Sequence, residues 1–460
     1  MKTCIWWIRR DLRLHDNPAL THAIERSDQV IPVFILDPAL LSEPPANRDL
    51  FLFSALHALN IDLRAKGSRL VIRSGKPIVA LHKICTETSA ELVTAEADHS
   101  PYARGRDDAI GKTLPLVTLT GLTVHPPQAV RKADGTPYTV YTPYSKVWKS
   151  LPLPGKAAPP PNAMPPVPED LLSDPIPEGR AFDAFPASEK AARERLEQFL
   201  ENGVFQYKEK RNMLAQDGTA RISPYLKFGL LSMREATQCV REIIRNTTDQ
   251  AGWASCATWL NELIWREFYF SILAHFPAVA RQSFRENLRS IPWKDDEKAL
   301  QAWQEGMTGY PVVDAAMRQL QHSGWMHNRA RMITASFLTK DLLIDWRKGE
   351  RWFMQHLIDG DLASNNGGWQ WTAGTGTDAA PYFRIFNPTL QSKKFDPNGE
   401  YIRRWVPELA HLSGDQIHAP WEQSEFKVDY PPPIIDHRAA RERTLAAYKA
   451  AKSVFEDQSK

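Results

Sequence analysis

The chain has 460 residues, of which 43% are hydrophobic, and its formal net charge is +3. This length predicts two or more domains, and a net charge so close to zero does not by itself indicate a nucleic-acid partner. No apolar run approaches the roughly 18 residues of a membrane span. The amino terminus, MKTCIWWIRRDLRLHD, resembles neither a signal peptide nor a transit peptide, so we expect a cytoplasmic protein.

Five short apolar runs alternate with helix-length intervals in the first part of the chain. Such runs predict a doubly wound α/β domain with a parallel sheet that is covered on both faces. The segment after the first run, RRDLRLHDNPA, contains no glycine, which excludes a dinucleotide fingerprint or a phosphate loop there. The runs are CIWWI at 4–8, VIPVFIL at 30–36, RLVI at 69–72, ELVTA at 91–95 and LPLVTL at 114–119.

A proline-rich segment follows, with ten prolines in the 27 residues from Leu151 to Pro177. It predicts an extended connector. Beyond it, apolar residues recur at helical spacing, so the second domain should be nearly all helix. We therefore expect an α/β domain over residues 1–130, a connector over 131–195 and a helical domain over 196–460.

Two motifs of the helical part could bind a ligand. In GTARISPYLKFG, Gly218 to Gly229, Ser223 and Pro224 predict a helix start with Ser223 as N-cap, where free N–H groups suit a diphosphate. A plain capped helix explains the same residues. In WLNELIWREF, Trp259 to Phe268, the spacing predicts either a salt-bridged surface or a pocket wall for a base.

The segment DGDLASNNGGWQW, Asp359 to Trp371, suits a planar ligand with polar edges, although a buried turn could also use it. A calcium loop is excluded because Ala363 occupies the third ligand position. The chain contains no H-E-x-x-H or G-x-S-x-G motif, so we predict no metal site and no serine nucleophile of that kind.

Positive charge is concentrated in two segments of the helical part. Phe205–Arg245 has eight Lys/Arg against four Asp/Glu, and Met317–Trp352 has seven against three, an excess of four in each. Solvated helix faces or a nucleic-acid surface could explain both.

Long motifs identify the chain as similar to the DNA photolyase and cryptochrome family, and specifically to the class I cyclobutane pyrimidine dimer photolyases of bacteria. They are WLNELIWREFY, TGYPVVDAAMRQL, GWMHNRARMITASFLTKDLLIDW and IDGDLASNNGGWQWTAGTGTDAAPYFRIFNP. The resemblance implies an antenna pigment in the α/β domain and FAD in the helical domain. It also implies a carbon–carbon lyase that repairs UV-damaged DNA, as a monomer acting at the bacterial nucleoid, by electron transfer from light-excited, reduced FAD to a flipped-out dimer.

The same resemblance assigns residues to the flavin and to the substrate. Asn365 would face the flavin N5, Glu262 would hydrogen-bond the dimer, Trp265 and Trp371 would wall its pocket, and Asn328 and Met332 would line it. The implied FAD contacts are Tyr207, Thr219, Ala220, Arg221, Ile222, Ser223, Trp259, Asn328, Arg331, Asp359, Gly360, Asp361 and Asn365. The implied DNA contacts are Arg211, Arg266, Arg329, Arg384, Lys393 and Lys394, and the implied electron-transfer chain is Trp369, Trp346 and Trp293.

The antenna is less well defined by the resemblance. Asp37, Arg48 and Asp98 would lie beside it, and it would be 8-hydroxy-5-deazaflavin or methenyltetrahydrofolate. Tyr102-Ala103 stands where folate-binding members have Asn-Glu, so the carboxylate that holds the folate is missing. Two alternatives to repair are a cryptochrome-like photoreceptor on the same fold and a light-independent flavin oxidoreductase.

Overall fold

The computed structural model describes residues 2–422 and 429–458. These residues form two compact units. The first comprises the chain up to Lys208 together with Thr219–Pro277, and the second comprises Glu209–Gly218 together with the chain from Ala278 onward. The chain thus passes between the units three times, and the boundaries expected near residues 130 and 195 stay a prediction.

The first unit contains a five-stranded parallel sheet with the order β3-β2-β1-β4-β5. Every predicted run forms a strand, and every residue of β2 is buried, as expected for a strand covered on both faces. The chain winds outward from β1 in one direction and then in the other, which confirms the doubly wound prediction. The strands are β1 Thr3–Ile8, β2 Gln29–Leu36, β3 Val71–Ser74, β4 Leu92–Glu96 and β5 Leu116–Leu119.

Within the described residues, ten helices accompany this sheet. Several begin where the sequence supplies a side-chain cap: Asn17, Ser100, Ser188, Ser232 and Asp249 each accept a hydrogen bond from a backbone N–H of the first turn, as N-caps do. A π-helical turn, Phe199–Gly203, separates α6 from α7. The helices are α1 Pro18–Arg26, α2 Asn47–Ala65, α3 Pro77–Thr88, α4 Pro101–Gly111, α5 Tyr141–Ser150, α6 Glu189–Gln198, α7 Val204–Lys210, α8 Ser223–Phe228, α9 Met233–Asn246 and α10 Gln250–His275.

The second unit contains helices and no strand among its described residues, which confirms the helical prediction. Residues 328–356 form two helices and not one, since a π-helical turn, Phe337–Asp341, follows the first helix and Leu343 adopts a φ of +56°. Asp345 then caps the next helix. The helices are α11 Glu297–Glu305, α12 Pro311–Ser323, α13 Asn328–Ser336, α14 Trp346–His356, α15 Leu362–Ala373, α16 Pro388–Phe395, α17 Glu400–Trp405 and α18 His437–Gln458.

The core of the second unit is rich in aromatic side chains. Trp303, Trp346, Trp369 and Tyr401 belong to one cluster, and none is more than 2% exposed. Burial of this size holds the helices that carry the predicted site residues in fixed positions. Among the described residues, no helix combines the length and the apolar character that crossing a membrane requires.

Candidate functional site

Helix α10 in the first unit carries the residues predicted to meet a base. Glu262 and Trp265 are both half-buried, and their spacing of three residues places them on one face of the helix. Trp259, one turn earlier, is only 3% exposed. The accessible part of this face therefore offers one carboxylate and one indole.

Arg266, the next residue of α10, has a different environment. Its guanidinium donates to the carbonyl oxygens of Leu122 at 2.9 Å and Leu226 at 3.2 Å, and it lies 4.5 Å from the ring centre of Phe270. These contacts tie α10 to neighbouring backbone. The structure thus favours a structural role for Arg266 over the predicted DNA contact.

Phe199 brings two predicted flavin residues together. Its ring centre lies 6.0 Å from that of Tyr207 and 5.1 Å from that of Trp259. Gly203 makes room for it, since a Cβ there would meet the Phe199 ring at 2.8 Å. Sequence reasoning missed Phe199, because a phenylalanine at helical spacing is ordinary core composition.

The segment Thr219–Ser223 corrects one prediction. The N-cap of α8 is Ile222, and Ser223 is the first helical residue. Arg221, the residue before the cap, adopts a left-handed φ of +50°. A left-handed residue other than glycine is strained. Ala220 and Ile222 are buried on either side of it.

In the second unit, Arg331 and Asp359 form an ion pair in which the carboxylate is buried and the guanidinium is partly exposed. Arg331 Nη2 lies 2.8 Å from Asp359 Oδ2, and the Asp359 side chain is 2% exposed. Arg331 Nε also donates to the Met326 carbonyl oxygen at 2.8 Å. The second oxygen, Asp359 Oδ1, is buried and has no hydrogen-bond partner among the described residues. A buried acceptor without a partner costs free energy, so a ligand that donates a hydrogen bond to this oxygen would be bound favourably.

The glycine-rich segment after Asp359 is helical and not the buried turn that its composition also allowed. Gly360 is buried just before it, and Asp361 caps α15 by accepting the Ser364 N–H at 3.0 Å. One turn later, Asn365 Nδ2 donates to the backbone oxygen of Glu350 at 3.1 Å and to its Oε1 at 3.0 Å. Burial raises the pKa of Glu350. The Asn365 amide is therefore fixed with its oxygen free to accept.

The residues predicted to line the dimer pocket in this unit lie on two helices. Asn328 and Met332 are one turn apart on α13, with Asn328 Nδ2 3.7 Å from Met332 Sδ. Trp371 is half-buried on α15. All three therefore keep accessible surface.

A cationic group is organised around Phe395, which sequence reasoning missed. Arg329 lies 4.4 Å and Lys394 5.4 Å from the centre of its ring, and Arg329 Nη2 donates to Asn212 Oδ1 at 2.8 Å. Burial and the nearby Arg211 lower the pKa of Arg329 to about 10. Like charges held this close favour an anionic partner.

Two further predicted DNA residues are exposed nearby in the chain. Lys393 lies 3.8 Å from Asp415, a surface pair that contributes little to stability. Arg384 is exposed in the segment before α16. Both side chains are available to phosphates.

The three predicted electron-transfer tryptophans lie in the second unit and differ in exposure. Trp369 and Trp346 are 2% and 1% exposed, whereas Trp293 is half-buried and packs against the same core. Trp346 Nε1 donates to Ser283 Oγ at 3.3 Å. Gly349 is required for the position of Trp369, since a Cβ there would meet that ring at 2.2 Å.

The first unit also has a cavity of about 580 Å³ at the carboxyl ends of its strands. Its lining includes Asp37 after β2, Lys76 after β3, and Tyr102, Gly105 and Arg106 of α4. The Tyr102 hydroxyl donates to Asp37. Crevices at this edge of a doubly wound sheet are usual ligand sites.

Of the three predicted antenna residues, Asp37 alone lines this cavity. Burial opposes ionisation of Asp98, but Arg10 and the Ser100 N–H outweigh it and hold the pKa of Asp98 well below its usual range. Arg48 lies on α2 and is half-buried. The three predicted antenna residues therefore do not all line this cavity.

Comparisons with known proteins agree with these features. Residues 4–166 match a family model described as DNA photolyase, and residues 259–450 match one described as the FAD binding domain of DNA photolyase. A relative from Escherichia coli K12, named deoxyribodipyrimidine photo-lyase, is 43% identical over 98% of this chain and 99% of its own.

Two solved structures have similar folds. A bacterial class III photolyase from Agrobacterium tumefaciens has a TM-score of 0.90 at 37% identity and 98% coverage of both chains. A cryptochrome from Synechocystis has a TM-score of 0.88 at 29% identity, with 97% of this chain and 99% of its own covered.

Proposed function

The chain belongs to the DNA photolyase family, and from this premise we propose that it splits cyclobutane pyrimidine dimers in DNA under blue or near-ultraviolet light. The observation that carries the proposal is the face of α10 on which Glu262 and Trp265, both half-buried, lie three residues apart. This helix overlaps the segment that matches the FAD binding domain of DNA photolyase. A carboxylate that hydrogen-bonds a base edge, beside an indole that stacks on its face, suits a base removed from the duplex.

The substrate residues of the second unit fit the same role. Asn328 offers an amide and Met332 a polarisable thioether beside it, while Trp371 offers a further indole. Extruding a damaged dinucleotide costs less free energy than extruding an intact pair, because its pairing and stacking are already weakened. Contacts of moderate strength are therefore enough for the enzyme to prefer a dimer to an intact base pair.

FAD is the cofactor that the matched domain binds, and in its reduced form it supplies the light-excited electron for ring opening. In the second unit, Asp359 Oδ1 would accept an N–H or O–H of the cofactor, with Arg331 holding the carboxylate. The Asn365 amide oxygen would accept at the flavin N5 position. Tyr207, Trp259 and Thr219–Ser223 are the proposed contacts of the first unit.

The test is a repair assay on an oligonucleotide with one thymine dimer, in light and in darkness. We expect the dimer to be restored only in light, and the enzyme to bind damaged DNA in darkness. Light-driven changes of the flavin without repair would favour the cryptochrome alternative, which the Synechocystis structure supports. Flavin turnover in darkness alone would favour an oxidoreductase. The monomeric state and the cytoplasmic location stay predictions.

The cations beside Phe395, together with the exposed Lys393, predict a sequence-independent contribution to DNA affinity. Replacing Lys393 or Lys394 with Ala should weaken binding to damaged and undamaged DNA alike and lower the slope of log affinity against log salt by about 1, because each would release phosphate counterions. Binding titrations at several salt concentrations measure both. Arg438→Ala is the control, since Arg438 is a fully solvated cation of α18. Loss on damaged DNA alone would contradict this role.

For the antenna, we propose that a planar heteroaromatic pigment binds the cavity beside Asp37. Of the two candidates, we expect 8-hydroxy-5-deazaflavin in preference to methenyltetrahydrofolate. Lys76 and Arg106 favour an anionic group. Ala103 stands where folate-binding members carry the carboxylate that holds the folate.

Filling this cavity should displace the pigment. Gly105 lines it, and a Cβ there meets no atom within 4 Å, so Gly105→Leu should fold and lose the pigment while retaining FAD. Absorption and mass spectra of protein from a deazaflavin-producing host measure this. If Gly105→Leu retained the pigment and Arg48→Ala lost it, the site would be elsewhere. If the protein retained folate and no deazaflavin, our preference for deazaflavin would be wrong.

A further inference from the structure

We propose that Tyr141 of α5 is a positioning residue that sets the plane of the Trp265 indole for stacking on a dimer base. The inference deepens the proposed function and rests on it. Both residues belong to the first unit. Tyr141 lies in the segment that the sequence indicated was a connector, so nothing in the chain order suggested a role at the substrate.

The two rings are stacked closely. Their centres are 3.7 Å apart and their planes differ by 5°, whereas Trp265 meets its other aromatic neighbours at an edge or a tilt. Tyr141 is 9% exposed and Trp265 half-buried. The tyrosine therefore covers one face of the indole, and the indole as a whole keeps accessible surface at which a ligand could stack.

Tyr141 is itself held against the helix that carries Trp265. Its hydroxyl donates to the backbone oxygen of Asn261 at 2.9 Å, and Lys149 Nζ donates to Asn261 Oδ1 at 2.7 Å. Helix α5 is thus fastened to α10 at the residue before Glu262. This arrangement holds Tyr141 in place against the helix that carries Glu262 and Trp265.

Phe268 completes the support. Its ring lies edge-on to Tyr141 at 6.0 Å and 80°, and edge-on to Trp265 at 5.6 Å and 84°. With one face covered and one edge blocked, the indole cannot turn without losing both contacts. A preorganised stacking surface binds more tightly, because no side-chain freedom is lost when the ligand arrives.

Three variants test this role: Tyr141→Leu, Tyr141→Phe and Trp265→Ala. For each, dissociation constants are measured in darkness for a dimer-containing duplex and its undamaged counterpart, with FAD content as the check on folding. We expect Tyr141→Leu to lower the preference for the dimer by roughly three- to tenfold, the range for one aromatic pair, with unchanged binding to undamaged DNA. Tyr141→Phe retains the ring and should keep most of the preference.

The double variant separates positioning from general stability. In a Trp265→Ala background, Tyr141→Leu should have no further effect on the preference, since it acts through the indole. If Tyr141→Leu lowered the preference for the dimer equally in the Trp265→Ala background, the inference would be wrong while the proposed function stood. The same would follow if Tyr141→Leu kept the wild-type preference and Trp265→Ala had a reduced one. A wild-type preference in Trp265→Ala would overturn the proposed pocket wall as well.

If Tyr141→Leu lost FAD, Tyr141→His would carry the test. The imidazole keeps a ring of smaller area, so an intermediate loss of preference is expected. An unchanged preference in that variant would count against the role of Tyr141.

Discussion

Replacing Trp293 with Phe should abolish lasting photoreduction of the oxidised flavin and leave repair by chemically reduced enzyme near the wild-type level. Trp369 would donate an electron to the photoexcited flavin, and the hole would move to Trp346 and then to Trp293. There an external reductant would refill it. Repair would move an electron between the flavin and the dimer and would not need these tryptophans.

The exposures of the three indoles support this order. Trp369 and Trp346 are buried in one core, where no solvent reductant reaches them, and Trp293 has accessible surface. A hole that stops at a buried indole returns to the flavin before it is filled. We therefore expect Trp369→Phe and Trp346→Phe to block photoreduction as completely as Trp293→Phe.

The measurement is flavin absorbance under blue light with a thiol present, followed by repair yield after dithionite reduction. Trp405→Phe is the matched control, because Trp405 packs half-buried against the same core and is not part of the proposed chain. Normal photoreduction in all three variants would show that these tryptophans serve core packing and not electron transfer.

Replacing Asp359 with Ala should weaken FAD binding by about 3 kcal/mol, or roughly 100-fold. The change removes the acceptor Oδ1 and leaves the Arg331 guanidinium without the carboxylate that it contacts at 2.8 Å. Asp359→Asn keeps the size of the side chain and loses its charge, so it should fall between the wild type and the alanine variant.

Flavin absorbance after gel filtration and titration of the apoprotein with FAD measure this loss. Glu408→Ala is the control, because it also removes a carboxylate from an arginine pair of the second unit, with Arg318 at 2.7 Å. It should cost stability at most and leave FAD affinity unchanged. If Asp359→Ala bound FAD normally, the ion pair would serve the fold alone.

Much of the architecture followed from local pattern. Short apolar runs predicted all five strands, since a strand buried on both faces has no polar alternation. Apolar residues at helical spacing likewise predicted that the part of the chain in the second unit is helical. The family could be inferred because its longest motifs are contiguous in the chain.

The neighbours of each site residue could not be predicted in this way. Tyr141 bonds to Asn261 from 120 residues away, and Arg329 to Asn212 from 117. Helical spacing specifies the face on which a side chain lies, but not which distant segment covers that face. The same limit explains the missed roles of Phe199 and Phe395.

The sequence by itself determined the strands and the family, because these depend on short apolar runs and on unbroken motifs, and the residues that would meet a base or the flavin stay predictions of the resemblance. Tertiary structure alone decided that Asp359 Oδ1 is buried with no hydrogen-bond partner among the described residues, that Arg266 binds backbone, and that the N-cap of α8 is Ile222 and not Ser223. Burial, partner and backbone torsion arise from packing between segments, which no local pattern encodes.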